Sequence, residues 1–195
     1  MSIALRQLEG AALAAALPQI ADLRIEIFRD FPYLYAGSRA YEAGYLRSYL
    51  DSGAAIVIGV FDGDRLVGAA TGTPMEDHQD GLAAPLPALG YPLDQVFYCG
   101  ESVLLPAYRG QGIGHRFFDL REAHARALGR HFGCFCSVIR PDDHPRRPAD
   151  YRPLDGFWRQ RGYAPLAGAV TQMSWQDIDE LGETPKAMQF WLRTL

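Results

Sequence analysis

Cysteine is scarce: Cys99, Cys134 and Cys136 are the only three in 195 residues. A small, odd number excludes a disulfide framework and fits a reducing compartment. Cys134 and Cys136 stand two apart in an apolar run, so on one strand they share a face, as buried structural thiols do. No further ligands at metal-binding spacing accompany them, and no metal is expected. Long apolar runs are also lacking, which argues against a membrane span. Ala11–Pro18 is apolar, but Glu9 precedes it and Pro18 interrupts it, which suits an amphipathic helix better than a signal peptide. The expected location is cytoplasmic, without a membrane partner. Nor is there an excess of positive charge. Nineteen basic and 23 acidic side chains leave a net charge of −4, which argues against a nucleic-acid partner. Internal repeats and low-complexity tracts are absent.

What is present is ordinary globular usage, 48% hydrophobic and 22% charged, in a length that suits one domain over residues 1–195 with a sizeable core. Ile3–Leu8 reads as a strand. Ala11–Phe31 reads as a helix that Pro18 either starts or breaks. Ser38 is placed to cap a second helix reaching about Leu50. Two β-rich runs around Asp62-Gly63-Asp64 form a hairpin. Met75–Asp94 reads as a long loop. "QVFYCGESVLL" is a strand, Gly112–Leu128 a helix closed by Gly129, and "HFGCFCSVIR" another strand. A charged, proline-rich loop follows. Pro153 then opens a short helix closed by Gly162, and two strands end the chain. The strand–helix–strand unit around Gly112–Leu128 should pair in parallel, and the hairpin antiparallel. The expected fold class is therefore α/β (α+β), a mixed central sheet flanked by helices.

The most informative stretch is "ESVLLPAYRGQGIGHRFFDL", Glu101–Leu120. A strand ends at Pro106, and Arg109 with Gly110, Gly112 and Gly114 leads into a helix. Free N–H groups and the helix dipole make such a junction an anion site, and glycines let the backbone come close to the anion. Arg109 adds a fixed positive charge. A phosphate-bearing ligand is expected. The Walker pattern fails because His115-Arg116 follows Gly114, and the dinucleotide pattern fails at His115 and Phe117.

Arg109, Gly112 and Gly114 fit (Arg/Gln)-x-x-Gly-x-(Gly/Ala) after Val-Leu-Leu-Pro. In this the chain resembles the GNAT (GCN5-related) N-acetyltransferase superfamily. The hairpin before the turn and the "LDGFWRQRGYAPL" segment after it fall in family order, so that the resemblance covers roughly Ile56–Leu166. It implies an acyl-CoA N-acyltransferase fold and acetyl-CoA as acyl donor. It also implies direct transfer of the acetyl group to an amine acceptor, either a small molecule or a protein amine; a homodimer stays open. Ser102, Val103 and Leu104 would pair with the pantetheine arm and offer N–H groups to the oxyanion. The backbone of Arg109, Gly110, Gln111, Gly112, Ile113, Gly114 and His115 would hold the pyrophosphate.

Glu101, beside that strand, is the candidate base, direct or through water; its other reading is a strand-edge carboxylate facing solvent. Relatives often carry a tyrosine acid four residues before the late helix's closing glycine, where Trp158 stands here. An indole N–H is no acid at neutral pH. Tyr151 is the replacement candidate, with helix capping or packing as its other reading; His144 lies in a loop expected to be solvated. Acyl transfer through Cys134 or Cys136 is a further route. Tyr41, Tyr45 and Tyr49 form one helix stripe, either core or acceptor pocket. Arg146, Arg147 and Arg152 reach a CoA phosphate or only solvent. Trp158 keeps open a module that binds acyl-CoA with weak or no turnover, and an enzyme for longer acyl-CoA is also open.

Overall fold

The computed structural model describes residues 3–78 and 81–195. Central strands buried along nearly their whole length, with partial alternation only in the two C-terminal ones, build a seven-stranded sheet in the order β1-β2-β3-β4-β5-β7-β6. The strands are β1 (Ile3–Gln7), β2 (Ile56–Asp62), β3 (Arg65–Pro74), β4 (Val96–Leu104), β5 (Phe132–Val138), β6 (Ala164–Trp175) and β7 (Thr184–Thr194). All neighbours run antiparallel except β4 and β5, which are joined by a helical crossover and run parallel. The helices are α1 (Gly10–Phe28), α2 (Arg39–Asp51), α3 (Pro85–Ala88), α4 (Ile113–Ala127) and α5 (Asp155–Gln160). The mixed sheet flanked by helices is the expected architecture.

Three expectations need correction. Helix α1 is continuous through Pro18. Pro18 removes one backbone donor there, but alanine-rich flanks favour helix and Leu13, Ala16, Ile20 and Leu23 bury one face at helical spacing, so packing overrides the local break. The Met75–Asp94 segment is not bare loop: it holds α3, opened by Pro85, and short 3₁₀ turns at Met75–Asp77 and Leu93–Gln95. Residues 79 and 80 of that expected loop lie outside the described residues. The late helix begins at Asp155, two residues after Pro153. Ser38 caps α2 as expected, its Oγ accepting the Tyr41 N–H at 3.3 Å, and Gly129 ends α4 at φ 73°.

Two features of β4 create the site. It pairs with β5 only from Val96↔Phe132 to Tyr98↔Cys134. Beyond Tyr98 the parallel strands part, and the β5-facing backbone of β4 has no strand partner. On its other side the register jumps from Ala70↔Ser102 to Gly72↔Cys99, so β4 carries one residue more than β3 between these pairs. This bulge lies at Gly100-Glu101, opposite Thr71. Bulges re-aim side chains, and this one lies where the strands separate.

Candidate active site

A cavity of about 100 Å³ opens where β4 and β5 part. Tyr98, Gly100 and Glu101 line it from β4 and Cys136 from β5; Arg24 and Phe28 come from α1, Tyr41 and Tyr45 from α2, and Met173, Ser174 and Trp175 from β6. Glu101 is 7% exposed, so the expectation of a solvent-facing carboxylate does not hold. Its Oε2 accepts from Tyr45 Oη at 3.0 Å and from Arg24 Nη1 at 2.7 Å. Its Oε1 is buried with no hydrogen-bond partner among the described residues.

The hydroxyls around Glu101 have one consistent polarity. The Glu101 N–H donates to Thr71 Oγ1 at 3.2 Å, and Thr71 Oγ1 donates to Tyr49 Oη at 3.0 Å. Tyr49 and Tyr45 are 3.0 Å apart at their hydroxyls, and Tyr45 donates to Glu101. Tyr45 spends its proton on the carboxylate, so Tyr49 must donate to Tyr45. The ring runs from the Glu101 N–H back to the Glu101 carboxylate, each hydroxyl donating once and accepting once. Burial first, and the Glu101 charge second, push both phenols up, so they remain donors. Gly100 is required for this ring. A Cβ there would lie 2.6 Å from Thr71 Oγ1 and 2.8 Å from Tyr49 Oη.

Arg24 joins two carboxylates. Its Nε donates to Glu42 Oε2 while Nη1 binds Glu101. Tyr35 Oη fills the other Glu42 oxygen at 2.9 Å. Burial opposes the Arg24 charge, but Glu101, Tyr45 and Glu42 outweigh it and hold Arg24 well above its ordinary value. Arg121 works from behind: fully buried, it donates to the carbonyls of Thr71 at 3.2 Å and Glu101 at 3.1 Å and to Ser102 Oγ at 2.9 Å, clamping the bulge. The sequence reading missed Arg24, Glu42 and Arg121. The available signal was an arginine on an apolar helix face in both α1 and α4.

The glycine turn lies at the far end of β4. A 3₁₀ turn at Pro106–Tyr108 precedes it, and Gly110 and Gly112 take left-handed φ values of 76° and 77°. A Cβ at either would meet nothing within 4 Å, so the concave side is open. Gly112 caps α4 without a side chain, no acid stands in the first turn, and the first α4 ladder bond is Arg116 N–H to Gly112 O at 3.2 Å. Arg109, exposed, bonds Leu104 O at 3.1 Å through Nε, while His115 stacks edge-on against Phe157 at 4.8 Å. Gln111 is exposed and Ile113 buried, Ser102 is exposed, Val103 buried and Leu104 half-buried. This junction fits a pyrophosphate: open backbone donors at a helix N-terminus with a cation beside them.

The other candidates lie elsewhere. Tyr151 lines a separate cavity of about 450 Å³ with Ser137, Val138 and Trp191; its ring meets Phe31 edge-on at 4.7 Å, and burial raises its phenol. Trp158 packs against Phe135 and Trp191, both at 5.0 Å. His144 lies against Phe31. Arg146 pairs with Asp179 and Arg147 with Asp142 on the surface. All three thiols are buried and pushed up by that burial, which disfavours a thiolate nucleophile. In the tyrosine stripe, Tyr49 belongs to the core, Tyr45 lines the cavity and Tyr41 stands half-exposed at its mouth. Among the described residues no group of three or more His, Cys, Asp or Glu is placed to hold a metal, and no helix is long and apolar enough to cross a membrane.

Comparison with known proteins agrees with this architecture. Residues 18–148 match the acetyltransferase (GNAT) family model, which extends the likeness into the N-terminal helices. No curated protein matches the chain. Among solved structures, yncA from Salmonella typhimurium, solved with acetyl-CoA, is 13% identical with a TM-score of 0.62, covering 100% of this chain and 95% of its own. A phosphinothricin acetyltransferase from Sinorhizobium meliloti, in complex with AcCoA, is 18% identical with a TM-score of 0.61, covering 100% and 89%. A ribosomal-protein-alanine N-acetyltransferase from Brucella melitensis is 12% identical with a TM-score of 0.62, covering 98% and 99%. At these identities the likeness is one of fold.

Proposed function

Because the chain belongs to the GNAT acetyltransferase family, we propose that it transfers the acetyl group of acetyl-CoA to an amine held against Glu101, by direct attack. The observation that carries this reading is Glu101 itself, a buried carboxylate that lines the cavity where β4 and β5 separate and whose Oε1 has no hydrogen-bond partner among the described residues. Acetyl-CoA supplies an activated acyl carbon at a thioester. The glycine turn from Arg109 to His115 would hold the pyrophosphate, and the unpaired edge of Ser102–Leu104 the pantetheine arm.

An amine reaches the site as an ammonium, since its ordinary pKa is about 10.4. Glu101 is the base we assign to accept a proton from it, directly or through one water, with the tyrosine ring and Arg24 bonded to its other oxygen. The freed nitrogen attacks the thioester carbonyl. The N–C bond forms, the C–S bond breaks and CoA leaves as the thiolate. The second amine proton ends on that thiolate or in solvent; where the thiolate is instead protonated by the Tyr151 hydroxyl, the side-chain donor we assign, from its separate cavity, that second proton restores the phenol. A second reading, an acyl-CoA-binding module with weak or no turnover, is favoured by one observation: Trp158 is an aromatic packing residue where relatives often have their acid.

Thiol release from acetyl-CoA on adding primary amines separates the two readings. Catalysed release supports the enzyme, while acetyl-CoA binding without release supports the module. The binding site has its own test. Gly112→Val branches a side chain into the open turn at a left-handed φ, where an L-residue is strained by about 1–2 kcal/mol. Acetyl-CoA affinity should fall at least about tenfold in the folded variant. Unchanged affinity would remove the turn from the site.

A further inference from the structure

We infer that the acceptor is a compact primary alkyl- or arylalkylamine, a single cation without a carboxylate. The inference rests on the acetyltransferase reading above, and specifies what that site accepts.

The charge balance of the cavity comes first. In the ion-paired trio on this side of the cavity, two carboxylates, Glu101 and Glu42, share the single guanidinium of Arg24; Arg121, the other buried arginine nearby, bonds backbone carbonyls and Ser102 from behind the bulge and is not among the lining residues. The uncompensated position is Glu101 Oε1, the oxygen with no partner. A buried carboxylate oxygen without a donor is costly unless a ligand supplies one. One ammonium supplies both the missing donor and the missing charge.

Anions meet the opposite situation. Arg24, the cation lining the cavity, is already committed to both glutamates and lies over the Tyr45 ring at 4.3 Å. Beyond Trp175, Arg140 makes a two-point bond to Asp177 at 2.7 and 2.9 Å, and Lys186 binds Glu180 at 2.8 Å. Each of these cations has its own carboxylate, so an α-carboxylate entering the cavity finds no free counter-charge. A second ammonium fares no better, because Glu101 is the only carboxylate lining the cavity among the described residues. With Ser174 as its one aliphatic hydroxyl, the remaining wall is mostly aromatic or thioether, including Phe28, Tyr33, Tyr98, Trp175, Met173 and Met188. They suit an apolar body, and their ring faces tolerate one cation.

Size sets the last limit. A cavity of about 100 Å³ is smaller than the roughly 150 Å³ that encloses benzene in an engineered core. The amine and its first carbons are therefore enclosed, and a longer alkyl or aryl body extends past Tyr41, which is 50% exposed at the mouth.

The test uses matched pairs that differ by one carboxylate: phenethylamine against phenylalanine, and isoamylamine against leucine. Spermidine and a short peptide with a free N-terminus complete the panel. Binding is read by calorimetry and intrinsic tryptophan fluorescence in the presence of acetyl-CoA or CoA, and turnover by thiol release. The plain amines should bind, and each carboxylated partner should bind at least about a hundredfold more weakly, as expected when a charge is buried without a partner. Glu101→Gln, of equal size, should weaken phenethylamine binding at least about tenfold. Equal or tighter binding of phenylalanine, leucine, spermidine or the peptide would overturn the inference. So would the absence of amine binding at millimolar concentration. Amine binding without thiol release would leave the acceptor class standing and overturn the enzyme reading instead.

Discussion

Glu101 and Glu122 are both buried carboxylates held by arginine, yet their surroundings differ in kind. Glu122 is saturated. Its Oε1 accepts from Arg161 at 3.0 Å and from Tyr163 and Arg193 at 3.3 Å, and its Oε2 accepts from Arg193 at 3.2 Å. It joins α4, the end of α5 and β7, and it faces none of the described cavities. Glu101 has Oε2 engaged by Arg24 and Tyr45, has no partner for Oε1 among the described residues, and lines a cavity. Burial and an arginine partner alone therefore do not mark a functional carboxylate, because both residues have them. What differs is that Glu101 lines a cavity and has one oxygen without a partner among the described residues, and the proposed role of Glu101 predicts opposite effects on turnover for the same substitution at the two positions.

The largest effect should come from Glu101→Gln. The amide keeps the volume and removes the base. Turnover of a primary amine should fall by about 10²–10⁴-fold with acetyl-CoA affinity nearly unchanged, and the weakened buried bond to Arg24 should cost about 1–3 kcal/mol of stability. The deficit should shrink as pH rises toward the amine's own pKa of about 10.4, because less proton removal is then asked of the protein. A profile parallel to wild type at every pH would refute the role.

Arg24→Met removes the shared partner and leaves two buried carboxylates facing one another. Breaking a buried pair from one side destabilises by about 3–5 kcal/mol, and here one arginine serves two partners. Urea denaturation should show a loss in that range. A loss below about 1 kcal/mol would mean that Arg24 does not hold Glu42 and Glu101 together in solution.

Glu122→Gln sharpens the contrast from the other side. Loss of charge-assisted bonds to Arg161 and Arg193 should cost about 1–3 kcal/mol of stability, while turnover per folded molecule should stay at the wild-type level. If activity fell as far as in Glu101→Gln, saturation would not separate the two classes of carboxylate.

The sequence disclosed the glycine turn better than the cavity lined by Glu101, for a physical reason. The turn is local: Arg109, Gly112 and Gly114 are neighbours in the chain, and their spacing fixes the junction by itself. The cavity is assembled from α1, α2, β4, β5 and β6. Glu101 was legible because it lies beside the motif. Arg24 and Glu42 were not, because their partnership spans 18 residues and two helices. The tyrosine stripe was visible at i, i+4 and i+8, but whether it is core or pocket depends on the bulge opposite Thr71, which no periodicity announces. Element order was readable almost throughout, since periodicity and punctuation are local properties. The error at Pro18 arose where packing overrides propensity.

The smallest effect is expected at Tyr151. Direct attack leaves a thiolate, and thiols of this kind have an ordinary pKa of about 8.5, so the leaving group needs little help at neutral pH. Burial raises the Tyr151 phenol, which makes it a weaker acid than a free tyrosine. It also lines the cavity of Ser137 and Trp191 rather than that of Glu101. Its ring is held by Phe31 edge-on and by the Arg147 guanidinium at 5.1 Å, contacts that phenylalanine largely preserves. Tyr151→Phe should therefore leave melting temperature and acetyl-CoA affinity unchanged and lower turnover by less than about tenfold, well short of full general-acid catalysis. With a slower-leaving thiol analogue of higher pKa, the deficit should widen, because proton donation then matters more. Equal rates for wild type and variant with both donors would strike Tyr151 from the mechanism and leave solvent to protonate the thiolate.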